Sequence, residues 1–240
     1  MRRQWRDKTE LLALAPLIID SGVNVDILVI VDVNVNDAIG GFGYMVMVRQ
    51  FDEDVVLEKV LEVFWAKGWQ GASMADLAGA ANVQRGSLYH AYGDKEQLFL
   101  LAFDRHVERV LAESRAALDA PSAKKALQRF FDVSIASMTA DDPPKGCFTT
   151  KTAIEVGLLG AEVREKVRSL LEQLQAAVAA ALSRPGIRES LTTHPDKAAQ
   201  IVIAFTRGLA VMERVYHDPK QLRALSRNLA DIVVRRDQAS

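Results

Sequence analysis

The chain has 240 residues, 49% of them hydrophobic and 25% charged, the balance of a folded globular protein rather than a disordered or collagen-like one. A single cysteine, Cys147, excludes an internal disulfide framework and any multi-cysteine zinc or iron–sulfur site, and His90, His106, His194 and His217 form no metal-ligand spacing; no metal or cofactor is expected. With 30 basic against 31 acidic side chains, a polyanionic partner has to be met by local charge placement, and the composition points to a soluble, cytoplasmic protein.

The first residues imitate a secretory signal, basic over 1–8 and mostly apolar over 11–19, but Pro16 interrupts the run and Asp20 follows it in place of a small-residue cleavage site. Residues 23–35 alternate apolar and polar side chains at their ends and read as a strand, far too short in their apolar part to span a membrane. Gly40, Gly41 and Gly43 then break the chain. Val46 stands where the third glycine of a dinucleotide fingerprint belongs, so the loop is not a phosphate cradle. Everything after about Met47 has helical periodicity, which leaves the strand without a partner. Residues 1–48 therefore read as an atypical extension, and 1–44 as a mis-assigned upstream start or a poorly ordered tail.

Leu57, Val60, Leu61, Phe64 and Trp65 fall at i, i+3, i+4, i+7 and i+8, the apolar stripe of a first amphipathic helix. Asp52, Glu53 and Asp54 sit at its positive dipole end, and Gly68 stops it. Ser73 with Asp76 three residues on is an acidic capping pattern for a short second helix with Met74, Leu77, Ala78 and Ala81 inside. Asn82 tolerates the sharp turn that follows, and Val83 plugs it. A third helix runs from about Gln84 to Gly93, with Leu88, Ala91 and Tyr92 inward and Gly86, Ser87, Tyr89 and His90 outward. Asp94 caps a fourth, longer helix.

Two short helices joined by a tight turn and braced by a longer one predict a helix-turn-helix unit over residues 49–97, the third helix standing out to enter a major groove about 12 Å wide. In that setting Arg85 offers a bidentate fork to guanine, Gln84 pairs with adenine, Gly86 lets the backbone approach closely, and Tyr89 and Lys95 reach phosphates. Alternatives stay open: Tyr89 as a packing residue and His90 as a titrating switch. The segments Arg49-Gln50-Phe51-Asp52, Phe64-Trp65-Ala66-Lys67-Gly68-Trp69, Ser73-Met74-Ala75-Asp76-Leu77 and Arg85-Gly86-Ser87-Leu88-Tyr89-His90-Ala91-Tyr92-Gly93-Asp94-Lys95-Glu96 resemble the DNA-binding domain of the TetR/AcrR family of bacterial transcriptional regulators. The resemblance implies a homodimeric repressor of a palindromic double-stranded operator, with a small-molecule inducer of unknown identity. It assigns DNA contacts to Ser73, Gln84, Arg85, Ser87, Tyr89, His90 and Lys95. Residues 49–97 nevertheless carry net negative charge, with only Arg49, Lys59, Lys67, Arg85 and Lys95 basic, so specificity is expected to rest on base edges more than on charge.

Residues 98–240 predict a helical effector-binding and dimerisation domain, which makes the fold class all-α. A fifth helix carries Ala126, Leu127, Phe130, Phe131 and Ile135; a loop occupies 141–146; a sixth helix follows Cys147. A seventh spans 161–182, and Pro195 and Pro219 open the last two. The eighth is apolar around most of its circumference, which suits a four-helix bundle shared between two subunits through the last two helices, or else a buried intramolecular helix.

An apolar effector pocket is expected to draw on Phe103, Phe130, Phe131, Met138, Cys147, Phe148 and Phe205, although aromatics at this spacing also make plain core. Cys147 falls at a loop-to-helix junction, where a helix N-terminus raises thiol reactivity; this resembles a subgroup of the family that senses electrophiles or oxidants. The function expected is a ligand-responsive DNA-binding repressor that is not an enzyme and binds no membrane. Two rivals remain, a helical protein-interaction adaptor working through the eighth helix and a thiol-dependent enzyme built on Cys147 and a histidine.

Overall fold

The computed structural model describes residues 27–30, 45–48 and 52–235. The signal-like stretch, the glycines Gly40, Gly41 and Gly43 and the motif residues Arg49, Gln50 and Phe51 lie outside the described residues. The chain divides into two compact units, residues 1–53 and 54–240.

In the first unit the strand expected within 23–35 is β1, Ile27–Ile30, and it has a partner after all. β2, Met45–Val48, pairs with it antiparallel, Ile27 opposite Val48 and Ile30 opposite Met45. β2 escapes a periodicity reading because Met-Val-Met-Val is apolar throughout, and so short a run carries no alternation to separate strand from helix.

From Glu53 on, the described elements are helices joined by turns. α1 covers Glu53–Gly71, α2 Met74–Ala80, α3 Arg85–Tyr92, α4 Lys95–Leu118, α5 Ala123–Thr139, α6 Phe148–Glu155, α7 Ala161–Leu182, α8 Pro195–Tyr216 and α9 Pro219–Val233. Leu57, Val60, Leu61 and Phe64 of the predicted stripe are buried in α1, joined by Val56, while Trp65 is half-buried. Gly68 breaks its helical path with φ +73°, a conformation that favours glycine, and a Cβ there would stand 2.6 Å from Glu155 Oε1, so a larger residue would also have to displace that carboxylate.

α2 begins with the full reciprocal cap: the Asp76 amide donates to Ser73 Oγ at 3.1 Å and the Ser73 amide to Asp76 Oδ2 at 2.9 Å. Hydrogen bonds from Lys67 and Ser73 hold the Asp76 carboxyl well below the usual carboxylate range. Asn82 takes the left-handed turn with φ +52°, and Asp94 caps α4 by accepting from the Glu96 and Gln97 amides.

The larger bundle forms behind this head. α7 lies along α8, α5 along α9, and α4 packs on both α5 and α7. Val163, Val167, Leu170, Leu174, Val178 and Leu182 fill the inner face of α7, and Val202, Ile203, Leu209 and Ala210 that of α8. α8 is not the fully buried intramolecular helix that its composition also allowed. Ile201, Val211, Val215 and Tyr216 are exposed along its other side, as is Ile232 of α9 at 68%. No helix among the described residues is long and apolar enough to cross a membrane.

Candidate nucleic-acid interface and the joint behind it

α3 is anchored by two side chains, Leu88, fully buried, and Tyr92, 4% exposed. On a 3.6-residue period those positions turn the other side of the helix outward. Gln84, Arg85, Gly86, Ser87, Tyr89 and His90 are all exposed. Arg85 lies over the Tyr89 ring, its Cζ 5.6 Å from the centroid, a cation–π contact that limits the rotamers of the guanidinium before any partner arrives. A Cβ on Gly86 would meet nothing within 4 Å. The fold itself therefore does not require glycine in this helical position, where it is less stable than alanine by roughly 0.5–1 kcal/mol. Such a surface offers a fork of donors, hydroxyls and an imidazole on a rod narrow enough for a groove.

Two residues expected in this set are engaged elsewhere. Ser73 spends its hydroxyl on the α2 cap, donating to Asp76 Oδ2 at 2.6 Å. Lys95 points back under the head: its Nζ donates to the carbonyls of Trp69 at 2.7 Å and Ala72 at 2.8 Å and lies 4.3 Å from the Trp69 ring. An ammonium has three donors, so at most one is left for a phosphate.

The same Trp69 meets the bundle. Its amide donates to Glu155 Oε2 at 2.9 Å, while Lys151 Nζ donates to the Trp65 and Ala66 carbonyls at 2.7 and 3.0 Å. The Trp65 indole Nε1 donates to the Gly146 carbonyl at 2.9 Å. α6 thus caps the end of α1 at the Gly68 break, supplying a cation for orphaned carbonyls and an acceptor for a free amide. Burial and Arg214 lower the Lys151 pKa, opposed by Glu155. None of these contacts has a local sequence signal, since the partners lie more than 80 positions apart.

The aromatics expected in one pocket fall into two closed clusters. Phe103 and Phe148 pack with Trp65, Phe99 and His106, whereas Phe131 touches Phe130 and Phe205 at centroid distances of 5.9 Å. Phe103, Phe130, Phe131, Met138 and Phe148 are each no more than 3% exposed. Cys147 is the N-cap residue of α6 and half-buried; its Sγ accepts from Arg207 Nη1 at 3.6 Å, and Arg207 also donates to Thr150 and Thr206. A charged donor, not a histidine, attends the thiol. His106, buried at 3% exposure, sets its Nε2 against Thr149 Oγ1 at 2.9 Å. Burial, with Arg109 and Arg207 adding repulsion, pushes its pKa down to about 3. No group of three metal-ligating side chains comes together among the described residues.

The family model described as bacterial regulatory proteins, tetR family, matches residues 56–102, and the tetracyclin repressor-like C-terminal domain matches 123–229, together more than half of the chain. The HTH-type transcriptional repressor ComR of Escherichia coli strain K12 is 26% identical over 170 residues, covering 69% of this chain and 81% of its own. Among solved structures, a cysteine mutant of the TetR family transcriptional regulator CifR, complexed with 26-bp double-strand operator DNA, is 26% identical with a TM-score of 0.68, covering 77% of this chain and 98% of its own. The reduced form of E. coli NemR, at 18% identity, has a TM-score of 0.70 over 78% of this chain and 98% of its own, a likeness of fold.

Proposed function

The chain belongs to the TetR family of bacterial transcriptional regulators, and from its geometry we infer a ligand-responsive repressor that reads a palindromic double-stranded operator through α3. The observation that carries this reading is the exposed face of Arg85, Gly86, Ser87, Tyr89 and His90 on a helix held by Leu88 and Tyr92. Gln84 and Arg85 read base edges at the helix tip; Ser87, Tyr89 and His90 complete the contact; Ser73 and Lys95 hold the head in register, Lys95 with one donor to spare for the DNA backbone. The operator-bound CifR structure supports the assignment by likeness of fold and sequence.

A homodimer supplies the second head. The apolar side of α8, with Ile201, Val211 and Val215, and Ile232 of α9 gives it a surface, since monomers seldom leave such a patch open to water. Half-sites then lie about 34–36 Å apart, and a small change in head spacing loses one of them. α6 is placed to make that change: its Lys151 and Glu155, with Gly146 just before its N-cap, hold α1 directly, so a small molecule or a modification of Cys147 that moves α6 moves the head. The reading is of a protein that works by binding: Cys147 is attended by Arg207 and not by a histidine, and the buried His106 lies against Thr149, so the thiol and the imidazole form no nucleophile–base pair. An adaptor that used the same α8 surface for a foreign partner would have no use for an exposed, glycine-bearing α3.

A mobility-shift titration against the DNA flanking its own gene tests the reading. A salt-sensitive, sequence-specific shift at two half-sites is expected. Equal binding to scrambled DNA, or none, would refute it.

A further inference from the structure

Behind Trp65 the joint between α4 and α6 leaves two deeply buried polar atoms without partners. His106 uses Nε2 on Thr149, and its Nδ1 has no hydrogen-bond partner among the described residues. Thr152, 1% exposed, stands one helical turn beyond Thr149 on the same face of α6, and its Oγ1 is likewise unpartnered. Proteins rarely bury such groups unsatisfied, because each has given up its water and gained nothing in return.

Rings surround the imidazole. Trp65, Phe103 and Phe148 stand 5.8, 5.8 and 5.1 Å from the imidazole, centroid to centroid. Three of these four side chains are almost fully buried; Trp65 alone is half-buried and so is the member that can swing aside. It is also the one that belongs to α1 and holds the Gly146 carbonyl next to Cys147.

We propose that this cage receives the inducer, and that the inducer is an uncharged, planar aromatic molecule bearing a hydroxyl or carbonyl, its ring among Trp65, Phe103 and Phe148 and its polar atoms on His106 Nδ1 and Thr152 Oγ1. The lining selects that chemistry. A ring replaces a ring at stacking distance, whereas a cation would lose its hydration and meet the repulsion of Arg109 and Arg207, and an anion would give up its water among apolar rings for a neutral imidazole and a hydroxyl. The depressed basicity of His106 agrees, since the imidazole is uncharged at neutral pH and presents either a lone pair or an N–H to the ligand. Occupancy displaces the Trp65 indole, breaks its bond to Gly146 and loosens α6 from the end of α1. The inference rests on the regulator reading for its consequence and on the buried cage alone for binding.

Purified full-length protein titrated with 4-hydroxyacetophenone and, in parallel, with ethylbenzene separates the two parts. The phenolic ketone should give a saturable change in tryptophan emission that Trp65→Phe abolishes, and should release operator DNA. Ethylbenzene should bind about tenfold more weakly or worse, and Thr152→Val, a near-isosteric change, should cost about tenfold for the ketone only. Equal affinity for both compounds, or unchanged affinity in Thr152→Val, overturns the proposal and leaves the two atoms as a site for internal water. No binding of either compound by protein that still shifts its operator overturns the cage but not the regulator. Saturable ketone binding by protein that shifts no DNA upholds the cage and removes the regulator.

Discussion

The α3 face and the α4–α6 joint draw on the same kinds of side chain and handle them in opposite ways. Arg85, Ser87, Tyr89 and His90 stand in water with their hydrogen-bonding capacity in reserve; Arg207, Thr149, Trp65 and His106 are turned into the protein and most of their donors already have partners. A group that recognises a second molecule must reach it without first breaking an internal contact. A group that transmits a change must already be tied to what it moves, so that displacing one end displaces the other. The face proposed to read and the joint proposed to relay differ in burial, not in composition.

The largest effect is expected where the two regions share a core. Phe64 is fully buried, stacked on Trp69 at 6.1 Å and edge-on to Phe99 at 4.9 Å. Phe64→Ala should remove about 3–5 kcal/mol of stability in urea unfolding, and operator binding with it. Retention of full stability would mean that head and bundle are held by the polar staples alone. Arg85→Ala comes next and should separate the regions cleanly. Operator affinity should fall by about 1–3 kcal/mol, with relaxed preference at one base position, while thermal unfolding stays within about 0.5 kcal/mol. A uniform loss on all sequences would make Arg85 a phosphate contact instead.

The joint has a pH signature of its own. The folded-state pKa of His106 is lowered to about 3 from an ordinary 6.5, so the unfolded chain binds one proton more than the folded one between those limits. Stability should be level above about pH 6.5 and fall by about 1.4 kcal/mol for each unit below it. Denaturant midpoints at pH 7 and 5.5 measure this, and His106→Phe should flatten the profile. An unchanged slope in that variant would assign the acid sensitivity to carboxylates.

Much of the reader was legible in the sequence because its determinants are local. Ser73 and Asp76 are three residues apart, and Asn82 and Gly93 mark turns by their own conformational tolerance; in the bundle, the apolar spacing of α7 likewise fixes Ala161–Leu182 without outside help. The relay was not legible. That Lys95 would seek two carbonyls, that Glu155 would fit against Gly68, and that His106 would lie beside Thr149 depends on tertiary approach between segments whose spacing carries no period. β2 was missed for a third reason, a run too short and too uniformly apolar to declare its type.

Gly86 carries the smallest expected change and the sharpest contrast between folding and reading. Alanine there would extend into open space on an exposed helix, so Gly86→Ala should stabilise the protein by about 0.5–1 kcal/mol, by restricting the unfolded chain and favouring the helix. The same methyl group would stand between α3 and any DNA backbone or base edge that comes within van der Waals reach of the helix. A higher melting temperature together with weaker operator binding is therefore the expected pair of results. A gain in stability with undiminished affinity would show that α3 does not approach DNA along this side, and the glycine would then be a cost to the helix without a return.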